Sequence, residues 1–225
     1  MGRFRRHPVN SKATVCIRLT SPHHQSRRAY RITSRVEPRT GDDLARHNNL
    51  AYTIPVLRIT PDKYVMDCDK ICAELEAAYP EPSIRIDDPV VAKVKASLSR
   101  VLGALAPEIM PRVGFNIVTD KSHDYFWRTR EARFGMPLEK VPEELGGEKC
   151  WKPAEEELRE VAKLLKERGG PFFLGKEPSW ADFIWAGFLI FAKRADEEIW
   201  ERCVGVDEVL KKQFEACKPW VEKND

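Results

Sequence analysis

The 225-residue chain has no apolar run long enough to cross a bilayer. Its most apolar stretch, Ile184 to Ala192, is well short of the ~20 residues that a transmembrane helix needs, so we expect a soluble protein without a membrane partner. The six cysteines have no paired spacing, and no secretory signal precedes them. These absences predict free thiols in a reducing compartment, with a cytoplasmic location as the first expectation.

Acidic residues are missing from the first part of the chain, where none occurs before Glu37. Residues 1–50 have 11 Lys and Arg against 3 Asp and Glu, whereas residues 51–225 have 27 against 32. The larger part is therefore mildly acidic and offers no basic stripe in its sequence, which argues against a nucleic-acid partner.

The atypical basic segment 1–50 has several interpretations. Its Arg-rich, Ser-containing composition is typical of a mitochondrial transit peptide, which gives a mitochondrial location as the alternative. Val15, Ile17 and Leu19 alternate on one face, so residues 13–19 could instead form a first strand. The segment could also be disordered, or reflect a wrongly predicted gene start or a missing exon, which sequencing of the transcript's 5′ end would decide.

The stretch from Tyr52 to Ile71 predicts a binding site. It consists of a short apolar strand interrupted by Pro55, a turn over residues 60–63, and a second strand that leads into a helix beginning at Asp67 and Cys68. Pro55 cannot donate to a sheet ladder, so we expect a strand edge or a special backbone conformation there, such as a cis bond. A free strand edge beside a helix N-terminus can hold a short charged peptide, and this pattern points to glutathione.

In this interpretation Asp67 pairs with the γ-glutamyl amine, and the N–H groups of the helix bind its carboxylate. Ile54 pairs its backbone with the cysteinyl unit in the manner of strand addition. The simpler alternative is that Asp67 is only a helix N-cap. Cys68 and Cys72 share a helix face, but no further ligand completes a metal site, so we expect no metal.

The remainder of the chain predicts an all-α domain. Two prolines end the first helix near residue 80, and Asp87-Asp88-Pro89 is a strong start signal for the next one. Apolar residues then recur at helical spacing, with further helices over 153–168 and 206–217, and no period-2 pattern follows residue 86. The predicted organisation is a basic segment 1–50, a glutathione-binding remnant 51–82, and a helical domain 87–222.

The most apolar predicted helix follows Pro178-Ser-Trp-Ala-Asp182. Ser179 and Asp182 are spaced as a capping box, in which each side chain bonds the backbone N–H of the other. The helix that they cap is apolar on nearly every face and should lie at the centre of its domain.

Taken together, these motifs resemble the cytosolic-type glutathione transferases over residues 51–222. The resemblance implies an α/β thioredoxin-like N-terminal domain, incomplete here, followed by an all-α C-terminal domain. It identifies Ile54-Pro55 with the cis-proline pair, Asp67-Cys68 with the acidic-Ser pair that grips the γ-glutamyl group, and Ser179 to Asp182 with the capping box. Residues 125–135, 170–175 and 193–196 are similar to glutathione-transferase-like proteins of filamentous fungi, some of them in secondary-metabolite gene clusters.

The resemblance also implies an activity, a substrate and partners. Such enzymes conjugate the glutathione thiol to a small electrophile, use glutathione as substrate without another cofactor, and form homodimers. They activate the thiol with a Tyr, Ser or Cys on the loop after the first strand. Ser21 is the candidate here by position, with Ser26 second, although an ordinary loop serine is the simpler interpretation of both. Without an activating residue, the alternative is a catalytically silent binding or structural protein with the same fold.

The segment 125–134 is rich in aromatic and arginine residues. Tyr125, Phe126 and Arg130 are candidates for the pocket of the second, electrophilic substrate. The alternative is a helix with an aromatic core face and a solvated basic face, and periodicity does not choose between them.

Overall fold

The computed structural model describes residues 32–33, 56–59 and 63–221. The chain divides into two compact units, residues 1–86 and residues 87–225. In the first unit, strands β1 (Ile32–Thr33), β2 (Val56–Arg58) and β3 (Tyr64–Met66) form an antiparallel sheet in the order β1-β2-β3, followed by helix α1 (Cys68–Ala78).

A small apolar core holds α1 to this sheet. Leu57 of β2 packs against Ile71 and Leu75 of α1, and all three are buried. The alternation of β2 therefore turns Leu57 toward the helix, and the predicted hairpin and helix are confirmed. Most of the predicted turn over 60–63 lies outside the described residues.

The second unit is helical, as predicted. In the described residues after 86 there is no strand, only an isolated bridge between Phe172 and Gly175. Its elements are α2 (Pro89–Ala104), α3 (Ala106–Asn116), α4 (Asp120–Phe134), a 3₁₀ turn (Leu138–Lys140), α5 (Val141–Leu145), α6 (Glu148–Lys166), α7 (Trp180–Ala195), α8 (Glu197–Gly205) and α9 (Glu208–Val221).

Helix α7 is the centre of this unit and contacts α2, α3, α8 and α9. Trp185 and Leu189 are fully buried on it, which confirms the predicted position of the most apolar helix. None of the helices among the described residues has both the length and the apolar character needed to cross a membrane.

Helix α6 begins at Glu148, five residues before the predicted start. The sequence predicts a helix over 153–168 from the apolar spacing of residues such as Leu158 and Leu165. The helix instead begins after Gly147, which has a φ of 68° and donates its N–H to the Glu108 carboxylate of α3 at 2.6 Å. A long-range bond therefore fixes this end, and Pro153 lies inside the helix.

Candidate functional site

The candidate glutathione-binding pair, Asp67 and Cys68, lies where β3 passes into α1. Asp67 is the N-cap, and its Oδ1 accepts bonds from the N–H of Asp69 at 2.9 Å and of Lys70 at 3.4 Å. The Asp67 side chain is exposed, and Cys68, the first helical residue, is half-buried. Two N–H groups of the first turn are thus satisfied within the chain, and the positive end of the helix dipole at this end of α1 favours a negatively charged ligand.

The backbone of Asp67 is strained. Its φ of 81° and ψ of 129° lie outside the regions that residues with a side chain normally occupy, a conformation that costs on the order of 1–3 kcal/mol. Capping does not require it, because Asp88 caps α2 through the Val90 N–H at 2.9 Å with an ordinary φ of −65°. The strain therefore points to a role for Asp67 beyond that of a helix cap.

The sheet register places three chain segments at one end of the sheet. Thr33 of β1 pairs with Val56 of β2, and Val56 pairs with Met66 of β3. β1 and β3 therefore end where β2 begins. In sequence, Ser34 follows β1, Pro55 precedes β2 and Asp67 follows β3. Three segments that are far apart in sequence therefore adjoin the same end of the sheet, the end at which the strained Asp67 lies.

Three predicted site residues, Ser21, Ile54 and Pro55, lie outside the described residues. The strand that the structure describes upstream of Pro55 is β1, and Ser21 precedes it by eleven residues. The sequence predicts a possible first strand over 13–19, and its pattern does not single out Ser34. The only signal for β1 was the adjacent pair Ile32-Thr33, which is too short to show a period of two.

Ser179 and Asp182 form the predicted capping box at the start of α7. Asp182 Oδ2 accepts from the Ser179 N–H at 2.8 Å and from the Ser179 hydroxyl at 2.7 Å. Its Oδ1 accepts from the Phe173 N–H at 3.0 Å and from Gln213 Nε2 of α9 at 3.3 Å. The carboxylate thus joins three segments of the helical unit, a structural role. Burial raises the pKa of Asp182, against the opposing effect of these bonds.

The candidate electrophile pocket on α4 is only partly assembled. The Arg130 guanidinium lies over the Phe126 ring, 4.6 Å from its centroid. Tyr125 is 64% exposed, on the side of the helix opposite Trp127, which packs on α3. The structure therefore brings Phe126 and Arg130 together and leaves Tyr125 apart from them.

No group of three or more His, Cys, Asp or Glu side chains that could hold a metal ion occurs among the described residues. Cys150, Cys203 and Cys217 are buried, and burial raises the pKa of each thiol, in the case of Cys203 to about 12. These three cysteines are therefore poor nucleophiles at neutral pH.

Comparison with known proteins shows what this chain resembles in sequence and in fold. The family model for the glutathione S-transferase C-terminal domain matches residues 92–220, more than half of the chain. The glutathione S-transferase-like protein ustS of Aspergillus flavus is 24% identical over 189 residues, which cover 76% of this chain and 68% of that protein.

Solved structures are similar over the same share of the chain. The glutathione S-transferase CsGST63524 of Ceriporiopsis subvermispora, solved in complex with glutathione, superposes with a TM-score of 0.66 and 28% identity, covering 77% of this chain and 74% of that one. The transferase GSTFuA3 of Phanerochaete chrysosporium gives a TM-score of 0.66 and 25% identity over 78% and 72%. The predicted fold class, a thioredoxin-like domain followed by an all-helical domain, is confirmed, and the chain belongs to the glutathione S-transferase family.

Proposed function

We propose that this chain binds glutathione at the Asp67 end of α1 and conjugates its thiol to a small electrophile. The main support for the proposal is the strained backbone of Asp67, which lies at the end of the sheet where β1 and β3 end and β2 begins. A solved relative contains glutathione, which supports the choice of ligand.

Asp67 and the start of α1 would hold the γ-glutamyl group. The aspartate carboxylate would pair with the ligand's ammonium, and the positive end of the α1 dipole would attract its carboxylate. Cys68 stands where the family resemblance implies a serine, so a strong hydroxyl bond becomes a weak thiol bond while the backbone contact remains. Ile54 and Pro55, which precede β2 directly, would bind the cysteinyl unit by strand addition.

The reaction requires a thiolate. A donor that stabilises the sulfur anion lowers the thiol pKa, and the proton passes to solvent. The sulfur then forms a bond to the electrophilic carbon while the leaving group, such as a halide, departs with the bonding electrons. Ser21 is the candidate donor from the sequence, but Ser34 is the donor that we propose, because it follows β1 directly. Phe126 and Arg130 are the candidates for contact with the electrophile.

Calorimetric titration with glutathione tests the site. Asp67→Ala should raise Kd about 5- to 150-fold, the equivalent of ~1–3 kcal/mol for a lost charged partner. Asp67→Asn should weaken binding as well, because asparagine tolerates a positive φ but lacks the charge. Asp88→Asn is the matched control, since it alters a helix N-cap of ordinary backbone and should leave Kd unchanged.

If the Asp67→Ala variant binds glutathione as tightly as the natural chain does, Asp67 acts only as a helix cap. If the natural chain does not bind at millimolar glutathione, the site itself is wrong. Turnover is measured separately with a generic aromatic halide. Binding without turnover would support the alternative, a catalytically silent protein of this fold, and a panel of electrophiles would then distinguish detoxification from secondary metabolism.

A further inference from the structure

Arg130 of α4 is a half-buried arginine without a counter-ion in the described part of the chain. It makes no salt bridge there, and its Nε is buried without a hydrogen-bond acceptor. Its Nη1 donates to a neutral acceptor, Thr129 Oγ1, at 3.0 Å. A charge that is partly removed from water without an opposite charge destabilises the folded state, so stability alone does not explain this position.

The two other half-buried arginines among the described residues after 86 each have two carboxylate partners. Arg112 contacts the carboxylates of Glu108 and Asp196, at 2.7 and 2.8 Å. Arg202 contacts two glutamates of α6, at 2.8 and 2.9 Å. An exposed cation is satisfied by water, but a half-buried one is less so, which makes the missing partner of Arg130 informative.

The helix around Arg130 supplies no acidic neighbour on its own face. At spacings of three and four residues, where side chains share a face, its neighbours are Phe126, Trp127, Arg133 and Phe134. The guanidinium carbon lies 4.6 Å from the centroid of the buried Phe126 ring, which supports it from one side. The acidic residues of α4 lie at other spacings, and none makes a salt bridge with Arg130; they are Asp120, Asp124 and Glu131.

We propose that Arg130 selects an electrophile that carries a carboxylate. This inference rests on the proposed function, in which Phe126 and Arg130 are the candidates for contact with the electrophile. A planar guanidinium matches the geometry of a carboxylate, and hydrogen bonds between charged groups are roughly twice as strong as those between neutral ones. The carboxylate of the ligand would be the counter-ion that Arg130 lacks among the described residues.

The size of the anion follows from the burial of the guanidinium. A polyanion such as a nucleic acid is held by several exposed cations, whereas Arg130 is a single cation that is half-buried beside an aromatic ring. One small anionic group on an otherwise apolar molecule suits this position better. The carboxylate takes no part in the bond changes of the reaction, so Arg130 would hold and select the electrophile.

Calorimetric titration of the full chain with dinitrobenzoate and with its neutral analogue dinitrobenzamide tests the proposal without requiring turnover. The natural chain should bind the acid at least about tenfold more tightly than the amide. Arg130→Gln should raise the Kd for the acid at least about tenfold and leave that for the amide within about twofold. Arg130→Lys should keep part of the preference, since the charge remains but the planar fork is lost.

The chlorinated forms of the two compounds, with chloride as the leaving group, extend the test to turnover. Arg130→Gln should lower kcat/KM for chlorodinitrobenzoate at least about tenfold and leave that for chlorodinitrobenzamide within about twofold.

Arg128→Gln is the matched control. It removes the same charge from the same helix, at an exposed position about 200° around the helix axis from Arg130, and should leave the preference for the acid unchanged. Asp67→Ala should leave the Kd for dinitrobenzoate unchanged, which separates this site from the proposed glutathione site. If the natural chain binds the acid through Arg130 but does not bind glutathione, the proposed function is wrong and the carboxylate site at Arg130 stands.

Several outcomes would overturn the proposal. They are equal affinities of the natural chain for the acid and the amide, no binding of either compound at millimolar concentration, and an equal loss in Arg128→Gln. If Arg130→Gln raises the Kd for glutathione alone, the arginine serves glutathione and the proposal is wrong. Circular dichroism checks folding. If Arg130→Gln does not fold, Arg130→Met, which keeps an unbranched chain over the Phe126 ring, replaces it, with an undiminished preference for the acid as the contradicting result.

Discussion

At the scale of single residues, Asp182 bears the largest share of polar bonds in the helical core. It is fully buried and accepts from two backbone N–H groups, a hydroxyl and an amide. A buried donor that loses its acceptor costs the folded state ~1–3 kcal/mol. Removing this carboxylate would therefore leave donors without an acceptor in three segments, at Phe173, at Ser179 and at Gln213 of α9.

We predict that Asp182→Ala lowers the free energy of unfolding by about 3–5 kcal/mol, and Asp182→Asn by less, because the amide keeps one acceptor. Urea denaturation measures both. Asp207→Ala, which removes the surface cap bond to the Val209 N–H and the exposed ion pair with Lys166, is the control and should cost about 1 kcal/mol. Equal losses in the two alanine variants would contradict the core role of Asp182.

The raised pKa of Asp182 gives the same experiment a pH dependence. Because the folded-state pKa lies above the unfolded value near 3.8, the group's contribution is fully present below that value and is lost as pH rises through the folded pKa. The difference in unfolding free energy between the natural chain and Asp182→Asn should therefore shrink as pH rises from the acid range toward neutrality.

Some residues could be identified from sequence and others could not. The Ser-x-x-Asp spacing predicts the capping box because it depends on four consecutive residues. Asp67 could be predicted as an N-cap, but its φ of 81° could not, since backbone strain is imposed by tertiary structure rather than by the local sequence.

At the scale of elements, the contact between α3 and α4 depends on a glycine. A Cβ on Gly114 would lie 2.6 Å from Cη2 of Trp127, so the indole ring packs directly on the α3 backbone. The Trp127 Nε1–H donates to Glu139 at 2.9 Å, and the His123 ring stacks on its face. Trp127 is thus held by α3, by its own helix and by the 3₁₀ turn.

We predict that Gly114→Ala destabilises the protein by about 1–3 kcal/mol, because the added methyl overlaps the Trp127 ring. Gly103→Ala on α2, where an added Cβ meets nothing within 4 Å, should instead be neutral or stabilise by up to about 1 kcal/mol. Thermal unfolding followed by tryptophan fluorescence compares the two, and similar effects would mean that α4 can shift to accommodate the methyl group.

The elements themselves differed in how well sequence predicts them. α2 and α7 combine a capping signal with an apolar period, and the sequence predicts where each of them begins. α4 was visible only as an aromatic and arginine-rich stretch, because its few apolar side chains are shared between a packed side and an exposed one. The early start of α6 depends on Glu108, 39 positions away, and no local pattern contains that bond.

At the scale of the whole molecule, the proposed site is assembled from segments far apart in sequence. Positions 33, 56 and 66 share one row of the sheet. A hydroxyl that activates the thiol would come from residues 1–50, the basic segment whose net charge differs in sign from that of the rest of the chain. The pairing of β1 with β2 joins part of that segment to the fold.

We predict that Ser34→Ala lowers the kcat for an aromatic halide at least about tenfold, the change in thiolate fraction for one pKa unit, with little effect on the Kd for glutathione. Ser21→Ala should leave kcat unchanged, with Ser26→Ala as an additional control. The reverse result would support Ser21, the candidate from sequence, and unchanged rates in all three variants would favour the silent protein.

The strained aspartate at the start of α1 also has an evolutionary consequence. Glycine at position 67 would relieve the positive φ and free on the order of 1–3 kcal/mol for the folded state, far more than the few tenths lost when glycine replaces a helix cap. Selection for stability alone would therefore favour glycine there. On the proposed function the carboxylate is kept for the ligand at a cost in stability, so position 67 would be among the first to change in a lineage without that ligand.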